Sequence, residues 1–124
     1  MVTRVRINAT PRCSDFVFPV YFAGRSAELT PAAIQVINKA GAHIAGCTVG
    51  RVEVLGLAGF RDPAPGALEL PRLRAERVAA ALAKAGLPEP AFRLSAVGDP
   101  AEPALPGVQD PLRRRVNVAI RFAR

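Results

Sequence analysis

Apolar and polar positions along the chain fall into segments of two different periods. Residues 2–7 alternate, with Thr3, Val5 and Ile7 on one face and Val2, Arg4 and Arg6 on the other, as in an edge strand or a flexible arm. Residues 16–22 form a dense β-branched and aromatic run. Pro19 within it cannot donate to a ladder, which assigns this strand to an edge or a bulge. The period then changes. Thr30 is a natural N-cap with Pro31 at the first helical position, and Ile34, Ile37, Gly41 and Ile44 recur at helical spacing to about residue 46.

A second strand follows at 51–56, with Val52 and Val54 towards the core, and then a Pro- and Gly-rich loop over 57–66. A second helix begins near Glu69 or Pro71 with the stripe Ala75, Val78, Leu82 and Ala85. Gly86, Leu87 and Pro88 supply a left-handed cap, an apolar cap contact and a stop. A strand at 92–97, a Pro-rich loop over 98–111 and a last strand at 114–122 complete the chain; Val116, Val118 and Ile120 share one face of the last strand.

The order β-α-β-α-β-β predicts an α+β, two-layer sandwich with helices on one face of a mixed sheet. Each strand–helix–strand unit is expected to cross over right-handed, and the last two strands to pair antiparallel. Residues 1–15 form an N-terminal arm or edge strand, and residues 16–124 a single domain.

Composition narrows the chemistry. The chain has 124 residues, half of them hydrophobic, with 6% aromatics and no Trp, so its core is aliphatic. No apolar run is long enough to span a bilayer, and the arginine-bearing first dozen residues lack the apolar stretch of a signal peptide. A net charge of +7 favours anionic partners. The charges are spread along the chain except at Arg113, Arg114 and Arg115, and few aromatics are available to stack bases, which argues against nucleic acid as the partner. The triple-arginine segment reads best as a solvated basic end, with a patch for anionic wall or lipid as the alternative.

No catalytic motif is present and the single His43 lies in a helix, so an enzyme is not expected and no cofactor or metal is implied. Cys13 and Cys47, 34 positions apart, lack zinc-site spacing. In an oxidising compartment they are expected to form a disulfide worth ~3–4 kcal/mol; two buried thiols that never meet are the alternative.

Four stretches, in order, resemble the OmpA-like peptidoglycan-associating domain. Val20-Tyr21-Phe22-Ala23-Gly24-Arg25-Ser26-Ala27-Glu28-Leu29-Thr30-Pro31 is similar to that family's opening strand and helix entry. Val52-Glu53-Val54-Leu55-Gly56 is similar to its second strand, which normally continues His-Thr-Asp. Leu70-Pro71-Arg72-Leu73-Arg74-Ala75-Glu76-Arg77-Val78 resembles its second helix, and Leu112-Arg113-Arg114-Arg115-Val116 its approach to the last strand.

The resemblance implies a non-catalytic envelope domain in the periplasm, with association with the outer membrane as an option. It also implies binding of diaminopimelate, a zwitterion that needs a carboxylate for its ammonium and a guanidinium for its carboxylate. In ungapped register Arg74 takes the family's carboxylate-binding arginine, while Leu57, Ala58 and Gly59 occupy the places of His, Thr and Asp. Ala67 and Pro71 stand where the family has Asn and Ser.

Two outcomes are open. Asp62, held by Pro63 and Pro65, replaces the missing carboxylate and peptidoglycan is bound weakly or in an altered mode. Otherwise binding is lost and the fold serves as a structural or protein-interaction module. Arg74 itself is read either as the anion site or as a structural residue paired with Glu53 or Asp62.

Overall fold

The structure, a computed structural model, describes residues 13–57, 69–97 and 115–123. The expected N-terminal strand at 2–7, the loop residues Ala58, Gly59 and Asp62, and Arg113 and Arg114 therefore lie outside the described residues, as do residues 1–12 of the expected N-terminal arm. The elements are β1 (Phe16–Tyr21), α1 (Pro31–His43), β2 (Val49–Leu57), α2 (Glu69–Lys84), a short 3-10 turn (Glu89–Ala91), β3 (Phe92–Val97) and β4 (Arg115–Phe122). They form a four-stranded sheet in the order β1-β4-β2-β3.

The β2-α2-β3 unit makes the expected parallel pair. The last strand differs from expectation. β4 does not pair with β3 but inserts between β1 and β2, antiparallel to both. Burial explains the choice. Val116, Val118 and Ile120 are all fully buried, and a strand with so apolar a face gains more at the centre of a sheet than at its rim. Pro19 is correspondingly on an edge strand, opposite Asn117.

The pairing registers align side chains in rows across the core face. Phe16, Ile120, Val52 and Phe92 share one row, and Phe18, Val118, Val54 and Leu94 the next. Both helices cover this face. α2 contributes Ala75, Val78 and Leu82 as expected, whereas α1 contributes Ala33, Ile37 and Ala40. Of the expected stripe, Ile37 and Ile44 are buried and Gly41 lies close against Ala85, while Ile34 stays 44% exposed and Ala33 and Ala40 complete the buried face.

Caps fix the helix ends. The Thr30 hydroxyl accepts from the Ala33 N–H at 3.0 Å. Gly86, at φ +109°, closes α2: its N–H donates to Ala83 and that of Leu87 to Leu82. Leu87 joins the core cluster, completing a Schellman cap. α1 ends at His43, short of the expected residue 46. Replacing Thr30 with Ala is expected to cost about 1 kcal/mol, readable as a lower urea midpoint at unchanged slope.

Cys13 and Cys47 form the expected disulfide, with a Cα–Cα distance of 5.7 Å. It ties the chain just ahead of β1 to the turn between α1 and β2.

Candidate functional site

Arg74 is the candidate anion-binding residue, and the fold carries it to the meeting point of three elements. β2 reaches the first turn of α2 through Gly56, where any Cβ would collide with the Pro71 backbone. Only glycine permits so close an approach, which brings the Leu57 end of β2 against the start of α2. Arg74 lies on the buried side of that helix, in its second turn, and is 3% exposed. Its Nε donates to the Ser26 carbonyl at 2.8 Å and its Nη2 to the Gly24 carbonyl at 2.5 Å, both in the β1–α1 connection. The guanidinium carbon stands 5.2 Å from the centroid of the Phe22 ring.

This environment suits a charge that cannot be neutralised. A guanidinium stays protonated at any physiological pH, so burial is tolerable only with acceptors and a polarisable face around it. Each carbonyl bond to the charged group contributes about 1.5–3 kcal/mol and the ring face about 0.5–2 kcal/mol.

Downstream, the same connection is folded by its own polar groups. Ser26 N–H donates to Ala23, and the Ser26 hydroxyl accepts from Glu28 N–H at 2.9 Å. Arg74 thus clasps the β1–α1 connection to α2, just before the capped start of α1.

Glu53 is not the partner of Arg74. It lies on the opposite face of the sheet, where its carboxylate meets Arg51 at 3.5 Å and Arg121 at 3.4 Å. Leu57, half-buried, is the last residue of β2, one position past the expected strand end at Gly56. The carbonyl partners had no signal in the sequence, since every residue carries a carbonyl. His43 meets the Phe16 ring edge-on at 5.0 Å, and the Arg115 Nε donates to Asn117 Oδ1. Among the described residues no group of His, Cys, Asp and Glu could hold a metal ion. No described helix is long and apolar enough to cross a membrane.

No protein-family model matches the sequence, and no curated protein matches it. Solved structures do. The OmpA-like domain of FopA1 from Francisella tularensis superposes with a TM-score of 0.67 at 21% identity, over 89% of this chain and 77% of that one. The cell wall anchor of the T6SS from Pseudomonas aeruginosa gives 0.67 at 21% identity, over 88% and 82%. The chain has the OmpA-like fold.

A third OmpA-like neighbour, the peptidoglycan-associated lipoprotein from Burkholderia pseudomallei, gives a TM-score of 0.61 at 20% identity, over 83% of this chain and 89% of that one. The described parts of the resembling stretches fall where an OmpA-like domain requires them: the end of β1 with the entry to α1, the body of β2, the first half of α2 and the start of β4. What departs from the OmpA-like pattern is the residue content after Gly56, where apolar side chains and glycine replace the polar trio.

Proposed function

We propose that this chain is a non-catalytic domain of the bacterial cell envelope that associates with peptidoglycan in an altered mode. The OmpA-like fold carries the reading, together with neighbours whose names include a cell wall anchor and a peptidoglycan-associated lipoprotein. The periplasm is the compartment that reading implies, and the Cys13–Cys47 disulfide agrees with an oxidising one.

Arg74 supports the word altered. A ligand carboxylate needs N–H groups it can reach, and here two of them donate to carbonyls from a side chain only 3% exposed. The ammonium of diaminopimelate would find leucine, alanine and glycine where a carboxylate is expected, and leaving such a charge unpaired costs several kcal/mol. Contact with the wall would then come from surface arginines, whose excess gives the chain its +7 charge.

Titration with a diaminopimelate-containing muropeptide, followed by backbone amide shifts, tests this. Weak, salt-sensitive shifts are expected at exposed arginines, with Asp62 as the stand-in carboxylate if residues 57–74 also respond. Silence throughout at millimolar ligand rejects wall association.

The burial of Arg74 also favours a second reading, an OmpA-like fold retained as a protein-interaction module of an envelope complex. It predicts sedimentation with purified sacculi no better than that of a charge-matched control protein.

A further inference from the structure

The two edges of the sheet are built differently. β1 carries Pro19, a residue that discourages further pairing. β3 (Phe92–Val97) carries neither proline nor lysine, and among the described residues no strand pairs with its outer side. Leu94 and Val97 are each 43% exposed there. A six-residue edge of this composition exposes backbone donors and acceptors beside apolar side chains, the arrangement to which an extended peptide adds as a strand.

A second observation points to the same place. A depression of 280 Å³ opens beside β3 on the sheet face away from the helices, with Glu53, Leu55, Arg93, Ser95, Asn117 and Ala119 in its lining. Arg93 is exposed and its Nη1 donates to Pro90 O and Phe92 O, which aims the guanidinium from a fixed base. Arg51 and Arg121 lie one row away, opposite each other across β2 and β4. Two carboxylates lie among them: Glu53, in register with Arg93 and already engaged by Arg51 and Arg121, and Asp15, 3.9 Å from Arg121.

We propose that the open edge of β3 and the depression beside it dock an extended acidic segment of a partner protein, added as a further strand. The charge decides the occupant. Three arginines outnumber the two carboxylates, Glu53 and Asp15, that engage Arg51 and Arg121, and so attract an acidic strand, whereas a second copy of this chain would bring a like net charge of +7 to the same edge. Backbone pairing would supply affinity. Side chains alternating along the incoming strand would place apolar groups beside Leu94 and carboxylates beside Arg93.

The full chain, labelled for amide detection, is titrated with a capped eight-residue peptide alternating valine and glutamate. A peptide with lysine in place of glutamate is the control. Shifts at residues 92–97 with the first peptide and none with the second are expected. Leu94→Lys, at an exposed position, should abolish them without disturbing the rest of the spectrum, and Val97→Lys serves if the first variant folds poorly. No response, a response at β1 instead, or an unchanged response in both folded variants overturns the proposal. A peptide-independent doubling of the sedimenting mass that Leu94→Lys reverses would overturn it in favour of a second copy.

Discussion

Arg74→Met is expected to destabilise the domain by about 2–4 kcal/mol while leaving muropeptide affinity nearly unchanged once folding is restored. The substitution keeps an unbranched stem beside Phe22 but removes the donors to Ser26 O and Gly24 O. Two part-buried carbonyls lose their charged partner, each bond having contributed about 1.5–3 kcal/mol, and partial rehydration of an exposed loop returns some of that. Arg74→Lys should not rescue, because a single ammonium cannot span both carbonyls as a planar fork does.

The loss should be spatially uneven. Amides from Ser26 to the start of α1 ought to exchange faster by a larger factor than those of β4, since the clasp is what holds the β1–α1 connection to α2. Denaturant melts give the global cost and hydrogen exchange the local one. A variant of unchanged stability with muropeptide shifts abolished would reverse the assignment and make Arg74 a binding residue.

Much of this architecture is legible in the sequence because its signals are local. Thr30-Pro31 marks the start of α1, Gly86-Leu87 the end of α2, and β3 occupies the residues its apolar run predicts. What local pattern does not carry is which strand lies beside which. The insertion of β4 between β1 and β2 depends on pairings such as Phe16 with Ile120, far apart in sequence, and no periodicity encodes them.

The buried stripe of α1 is a subtler case. Periodicity places Ile37 and Ile44 correctly in the core but also favours Ile34, where the packed face instead uses Ala33 and Ala40, since small side chains let a helix lie close on the sheet. The candidate site divides the same way. Arg74 lies in the second turn of α2 and Leu57 at the end of β2, and the structure brings the elements bearing them together. The carbonyls that occupy Arg74 are set by the path of the β1–α1 backbone, which only the folded chain defines.

Replacing both Cys13 and Cys47 with Ser should cost about 3–4 kcal/mol and lower the thermal midpoint by roughly 10–20 °C. The cross-link spans 34 positions, and in the chain-entropy model a loop of that length removes about that much free energy from the unfolded ensemble. Folded-state contacts at the same corner make the estimate specific. Asp15 accepts from the Phe122 N–H at 2.9 Å, and Phe16 packs on His43 and Phe122. These contacts hold the start of β1 without the bond, so the double variant should still fold.

Its weakness should appear first in β1, an edge strand whose one ladder among the described residues is with β4. Exchange of the β1 amides should therefore accelerate more than that of β2, and reduction of the wild-type chain should reproduce the effect. Equal midpoints for oxidised chain, reduced chain and double variant would show that the bond closes a corner already held by packing.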